Sequence, residues 1–435
     1  MTKTNLIVAA ALLAAACTPE SPKISPASPD MDVLAREYLY LELSMGQHDA
    51  SHVDAYFGPA ELQTAAAKDA LSLDAILQAA QNFAARLDQV DTSDDAELAV
   101  RIDGLKGRMR ALVTRIAINR GEKIAFDDES AQLFDSVAPD YDAAHFQSIL
   151  DQIDAALPGD EPLSARVEAF NERFEVPPEK LSAVFEAAMA ECRRRTLEHI
   201  ALPEGESFTI EYVSDKPWTG YNWYKGDAVS LIQVNTDLPI SISRAVDLGC
   251  HEGYPGHHTY NALLEKNLVR DKGWVEYSLY PLFSPQSLIA EGSGNYGVEL
   301  AFPGEDRIEF EKTVLFPLAG LDPAEADRFY ALGSLLEQLN FAGNEAARDY
   351  LDGRITRDEA VAWLVDYALS SRERAEQRVR FFDTYRSYVI NYNHGEALVR
   401  DFVERGDADA ATRWARFEKL LSSPMSPRDL ETVKD

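Results

Sequence analysis

Residues 251–258 read "HEGYPGHH" and hold three of the eight histidines in a chain of 435 residues, with a glutamate directly after the first. A metal-hydrolase centre needs about three ligands drawn from His, Asp and Glu, one position left for water, and a nearby carboxylate to take that water's proton. His251 and Glu252 match the start of an HExxH helix, in which the second histidine sits one turn on. Here Pro255 occupies that place. At ~1.5 Å and ~100° per residue, a straight helix would put His257 ~9 Å along and ~240° round from His251, too far to share an ion. Proline removes a backbone donor and pushes Tyr254 out of the helical region, while Gly256 tolerates unusual dihedrals. A break at residues 254–256 is therefore required if His257 or His258 is to turn back toward His251. The plain alternative is a surface helix ended by Pro-Gly with incidental histidines; so dense a cluster in so histidine-poor a chain argues against it.

Around the cluster, Asp247 stands one turn before His251, where a carboxylate accepts a ligand's second ring N–H or simply faces solvent. Cys250 reads as a small buried residue rather than a ligand. Upstream, "SFTIEYV" (Ser207–Val213) alternates apolar and polar residues, and "DAVSLIQVN" (residues 227–235) is rich in β-branched side chains. Two strands are expected, joined by the aromatic "PWTGYNWYKG" and closed by Pro239, with a helix running from about Ser243 into the histidines.

Most of the rest repeats apolar residues at helical spacing, as in Leu73, Ile76, Leu77, Ala80, Ala84 and Leu87. Thr356 and Glu359 have capping-box spacing, so a helix starts there and is expected to continue through "SRERAEQRVRFFDTY". Arg372, Arg374, Arg378, Arg380 and Arg386 concentrate positive charge in this region, either as a solvated face or as a holder of a peptide's terminal carboxylate. His48 and His52 are four apart, but Gly46 suits a helix poorly, and both read as surface residues.

Acidic residues outnumber basic ones 73 to 42, for a formal charge of −31. A polyanion would be repelled, which excludes nucleic acid as a partner. The first residues, "MTKTNLIVAAALLAAAC", carry one lysine and an apolar run too short to span a bilayer, as in a secretory signal. Their end resembles a bacterial lipobox, which implies cleavage after residue 16, lipidation of Cys17 and an anchor in a membrane; the alternative is an ordinary signal peptide cut near Ala16. Thr18 stands where an Asp would retain a lipoprotein at the inner membrane, which implies an outer-membrane, periplasm-facing location in a cell with two membranes. The Pro- and Ser-rich residues 17–30 read as a flexible tether, residues 31–205 as a helical N-terminal region, and residues 206–435 as the catalytic region. With Cys17 lipidated, Cys192 and Cys250 allow at most one intramolecular disulfide.

"HEGYPGHH" resembles the HExxPGHH signature of the bacterial family known as domain of unknown function 885, which is grouped with the zincin metallopeptidases. "IQVNTDLP" (residues 232–239) is similar to an extended segment that precedes the histidine helix in that family; in zincins such a strand holds substrate backbone, and Asn235 is the residue it marks. "LIAEGSGNYGVEL" (residues 288–300) resembles the family's EGWAxYxE segment, which implies Glu291 as third ligand. Ser293 and Gly294 replace the usual Trp-Ala, and Glu299 falls one residue late as the second carboxylate. The same stretch satisfies GxGxxG, but no strand-helix-strand unit surrounds it, so its glycines are expected to permit close packing against the metal helix instead. Near the C-terminus, Arg380 and residues 392–395 align with the family's Arg and Tyr-x-x-Gly, implying substrate contact for Arg380 and oxyanion stabilisation for Tyr392, which otherwise reads as a core tyrosine.

These readings combine into a mainly α, helical zincin-like metallopeptidase with a short β-sheet preceding the metal-binding helix. Zn²⁺ is the expected cofactor and a peptide the expected substrate. His251, Glu291 and one of His257 or His258 would hold the ion, with Glu252 as general base. His257 follows glycine as in the HExxGH variant of dipeptidyl peptidase III, which the motif loosely resembles, and is the preferred ligand; His258 is the alternative or stands behind the ligands. The competing class is a non-catalytic lipoprotein that binds metal or peptide through a retained site.

Overall fold

The computed structural model describes residues 30–432, most of them in α-helices. The expected signal segment, Cys17 and all of the tether but Asp30 lie outside the described residues. No helix among the described residues is long and apolar enough to cross a membrane. The apolar stripe near residue 80 folds as the helix Leu73–Leu87, whose N-cap Ser72 accepts from the Ala75 N–H. Its Ile76, Phe83 and Leu87 are fully buried, each contributing about 1.5–3 kcal/mol of hydrophobic stabilisation.

Strand β1 (Val53–Tyr56) pairs antiparallel with β5 (Leu279–Pro281). The second sheet contains β2 (Ser207–Val213), β3 (Gly220–Gly226) and β4 (Val229–Asn235), in the order β2-β4-β3. β2 runs parallel to β4, with Ile210 opposite Ile232, and β3 runs antiparallel to it, with Asn222 opposite the same Ile232. β3 corrects the expectation of a simple aromatic connection. Its Asn222 and Tyr224 face inward while Tyr221 and Trp223 lie half-buried on the other face. Asp227 and Ala228 both adopt positive φ in the tight turn that joins β3 to β4, a pairing-compatible turn without the Asn-Gly or Asp-Gly signature.

Six helices position the site: α1 (Leu181–Leu197), α2 (Ser243–Leu248), α3 (His257–Leu264), α4 (Pro285–Ala301), α5 (Arg372–Tyr385) and α6 (Ile390–Glu404). α2 widens into a π-type turn over Gly249–Gly253, and the helical run then breaks at residues 254–256, where the Tyr254–Pro255 peptide is cis. Cys250 in this turn is disulfide-bonded to Cys192 of α1, and both are fully buried. α4 and α6 cross at Gly292 and Gly395, where a Cβ on Gly292 would overlap the Gly395 carbonyl.

Two further expectations are corrected. The capping box at Thr356 and Glu359 is present, but its helix ends at Tyr367. Leu369 adopts positive φ, and α5 starts afresh where Ser371 accepts from the Arg374 N–H. His52 is not a surface residue: it is fully buried with Nε2 against Glu42, because residues 49–52 form a turn into β1 rather than a helix. His48 bonds through Nε2 to the Leu71 carbonyl at 2.6 Å.

Candidate metal centre

His251 leaves the π-type turn and His257 opens α3, and the break between them turns the chain back on itself. The Gly256 N–H donates to the Cys250 carbonyl at 3.0 Å. A Cβ at Gly256 would overlap the His251 carbonyl oxygen, so this return requires glycine. The two imidazoles meet at right angles with centroids 4.6 Å apart. Glu291 of α4 completes the group: its Oε2 lies 3.1 Å from His251 Nε2 and 3.7 Å from His257 Nε2.

One ligand atom from each of the three lies within 4.8 Å of the others, and all three residues are buried. Zinc bonds of ~2.0–2.1 Å at tetrahedral angles separate neighbouring donor atoms by ~3.3 Å, a value bracketed by the two separations above. Two nitrogens and one carboxylate oxygen thus fit zinc in chemistry and in spacing. The local field favours a cation as well. Burial lowers the His257 imidazole, but Glu291, Glu252 and Asp54 outweigh it and push it up to about 9. Burial would raise Glu291, yet His257 and His251 hold it far below the usual carboxylate range.

The ligand atoms are oriented from behind. His251 Nδ1 donates to Asn295 Oδ1 at 2.9 Å, leaving the Nε2 lone pair toward the centre. Asn295 in turn donates to the Tyr392 carbonyl at 3.1 Å. Tyr388 donates its hydroxyl to Glu291 Oε1 at 2.6 Å, which leaves Oε2 facing the two histidines. Gly294 allows α4 to press against His251, since a Cβ there would stand 2.8 Å from the ring. The GSGNYG glycines are therefore packing positions inside a helix.

Glu252 is buried, with Oε2 lacking any hydrogen-bond partner. Burial raises its pKa against the opposing pull of His251 and His257, which suits a proton acceptor. Gly220 at the start of β3 leaves room for it: a Cβ there would lie 3.0 Å from Glu252 Oε1. Asn222 of β3 donates to the Glu252 carbonyl at 2.6 Å.

The centre lies in the wall of a cavity of about 1640 Å³, lined also by Asp54, Tyr221, Tyr392 and Arg378. Asp54 is hydrogen-bonded by the Tyr221 hydroxyl, and burial pushes it up to about 7. The Tyr392 ring stacks toward His251 with centroids 6.5 Å apart. Burial holds its hydroxyl well above the usual tyrosine range, so it is a proton donor.

Several expected site residues lie elsewhere. His258 is one residue further round α3 and points into the sheet, with Nδ1 2.8 Å from Ser230 Oγ and Nε2 3.2 Å from Glu206. It stands behind the His251–His257–Glu291 group, the second of the two places expected for it. Asp247 does not orient His251; the π-type turn swings the imidazole off that face, and Asp247 pairs with Arg307 at 2.7 Å. Glu299, two turns beyond Glu291, pairs with Arg400 and gathers with Glu337 and Glu396 away from the histidines. Asn235 lines the cavity, but its amide donates to the Lys216 and Trp218 carbonyls and its Oδ1 accepts from the Asp237 N–H, so it shapes the loop before β3. β4 is paired on both sides and has no backbone to offer a substrate; the outer edge of β3 is not strand-paired among the described residues. Arg380 is exposed, and Arg378 occupies the cavity wall instead.

Asn295, Tyr388 and Asp54 went unnoticed in the sequence. Asn295 carried a signal, since it stands four residues after Glu291 on one helix. Asp54 carried none, being brought in from the N-terminal region by the β1–β5 pairing.

No family model matches the chain, and no curated protein matches it. Solved structures with related architecture include a candidate lipoprotein from Colwellia psychrerythraea, 15% identical, covering 91% of this chain and 77% of that one with a TM-score of 0.49. A candidate lipoprotein of unknown function from Shewanella oneidensis is 13% identical over 83% of this chain and 76% of that one, with a TM-score of 0.40. An M32 carboxypeptidase from Deinococcus radiodurans R1 is 14% identical over 89% of this chain and 88% of that one, with a TM-score of 0.38. At these TM-scores the site must be read from its own residues.

Proposed function

We propose that the chain is a zinc-dependent peptidase that acts outside the cytoplasm, tethered to a membrane through a lipid on Cys17. The observation that carries this reading is the convergence of His251, His257 and Glu291 beside the buried, unpartnered Glu252 carboxylate, in the wall of an open cavity. A zinc ion held by the three ligands would supply Lewis-acid polarisation to a water and to the scissile carbonyl. Glu252 accepts the proton of the attacking water and returns it to the nitrogen of the leaving amine. Tyr392 donates its hydroxyl to the carbonyl oxygen as negative charge develops there. Its hydroxyl is free for this, with no hydrogen-bond partner among the described residues, whereas Tyr388 is committed to Glu291. Peptide is the substrate class that suits the outer edge of β3, since an extended backbone can pair there beside the centre.

Metal analysis and a peptide digest of the unaltered chain and of Glu252→Gln test this reading together. The expected result is about one equivalent of zinc in both proteins and peptide cleavage only in the first. Zinc retention without cleavage by the unaltered chain would favour the competing class, a non-catalytic metal- or peptide-binding lipoprotein.

A further inference from the structure

Five arginines line the cavity that contains the centre: Arg244, Arg307, Arg374, Arg378 and Arg413. Four of them have polar partners. Arg244 faces Asp247 and the Thr219 hydroxyl, Arg307 is held between Asp247 and Glu311, Arg374 donates to the Pro239 carbonyl, and Arg413 pairs with Glu404. Arg378 has no hydrogen bond and no carboxylate partner among the described residues. In a chain with 73 acidic residues this is unusual. Its guanidinium is flanked by three rings, 4.8 Å from the Phe381 centroid, 5.7 Å from Phe382 and 5.8 Å from Tyr392. Aromatic flanks fix the planar fork in place but leave its donors unspent. A partly desolvated guanidinium without an anion is costly, and a planar carboxylate matches its fork bidentately.

The position is as informative as the missing partner. Tyr392 neighbours both Arg378 and the centre, its ring 5.8 Å from the guanidinium carbon and 6.5 Å from the His251 ring. The free cation is therefore at most about 12 Å from the His251 ring. An extended peptide advances ~3.3–3.6 Å per residue, so a carboxylate held at Arg378 leaves a peptide bond one or two residues away on the side of the cavity that holds the centre.

We propose that Arg378 anchors the free α-carboxylate of the substrate, making the chain an exopeptidase that releases one or two residues from the carboxyl end. This rests on the peptidase reading above. The bond broken is the peptide C–N bond. Water supplies the oxygen that completes the new carboxylate, and the proton taken up by Glu252 passes to the nitrogen of the released fragment, whose own carboxylate Arg378 holds.

The test uses two N-acetylated pentapeptides of one sequence, ending in a free carboxylate or in a carboxamide, and a third with a free amine and a free carboxylate. Calorimetry on the zinc-loaded Glu252→Gln protein reads binding without turnover, and mass spectrometry on the zinc-loaded unaltered chain reads the products. The acid should bind at least about 30-fold more tightly than the amide, with the amino end making little difference. Adding Arg378→Gln should abolish that preference at unchanged zinc content. Arg378→Lys, which keeps the charge and serves if the glutamine variant does not fold, should reduce it by about 10-fold because the bidentate fork is lost. Equal binding of acid and amide overturns the proposal. So does a preference that survives either substitution at full strength, or cleavage that ignores the distance to the carboxyl end. A preference for the acid that depends on Arg378, with no peptide cleaved, would instead leave the anchor standing and overturn the peptidase reading.

Discussion

Asn295 accepts the Nδ1 proton of His251 at 2.9 Å, and it is fixed for that task by donating its own amide to the Tyr392 carbonyl at 3.1 Å. The candidate ligand His251 and the candidate oxyanion donor Tyr392 are thus tied through one side chain. Asn295→Ala should weaken zinc binding by about 10–100-fold, the usual cost of losing a partner behind a ligand. Competition with a chelator of known affinity measures this; unchanged affinity would mean that packing alone orients His251.

Tyr388 and Tyr392 should separate cleanly. Tyr392→Phe is expected to keep zinc and lower kcat by about 10²–10³, the typical effect of removing one oxyanion donor. Tyr388→Phe removes the hydrogen bond to Glu291 Oε1 and should loosen zinc instead. Zinc titration alongside steady-state kinetics distinguishes the two, and equal behaviour of both variants would contradict the assigned roles.

Gly294→Ala tests the packing of α4 against the metal helix. The added methyl would stand 2.8 Å from the His251 ring and must displace it, although no ligand atom has been removed. Weaker zinc binding at nearly unchanged helix content is the expected outcome, read by metal content and far-ultraviolet circular dichroism. Gly343→Ala is the matched control, because a Cβ there meets nothing within 4 Å.

Glu206 links stability to acid pH. Burial raises its carboxyl, but hydrogen bonds from His258, Tyr254 and Arg193 outweigh it and bring it down to about 2. Because the folded value lies below the ordinary 4.5, its contribution is complete above about pH 4.5 and is lost as pH falls toward about 2. Glu206→Gln should lower the urea midpoint at pH 6 and flatten its decline between pH 4.5 and 2.5. A decline as steep as in the unaltered chain would remove Glu206 from the account.

The Cys192–Cys250 bond closes a sequence separation of 58 residues and joins α1 to the turn that carries His251. Cys192→Ala with Cys250→Ala is expected to cost about 2–4 kcal/mol of stability. The same double variant should bind zinc less tightly, since Cys250 immediately precedes the candidate ligand His251. Denaturant unfolding and chelator competition check the two effects separately.

Sequence alone specified the local chemistry. Three histidines and a glutamate in eight residues, helical apolar spacing and the alternation of Ser207–Val213 are short-range patterns, so the metal reading, the mainly helical fold and the strands β2 and β4 were legible. Even the need for a break at residues 254–256 followed from counting along a helix. Tertiary structure decided what counting cannot reach. The return of Gly256 onto Cys250 selected His257, because the next residue round the helix, His258, necessarily faces the sheet. The width of the π-type turn replaced Asp247 by Asn295 behind His251, and pairing across β1 and β5 brought Asp54 to the cavity from about 200 residues away. The same separation governs Arg378: its place in an arginine-rich run is written in the sequence, but its lack of a partner is a property of everything that packs around it. Side-chain type and periodicity are local and survive in one dimension, whereas orientation and partnership depend on which distant segments share a surface.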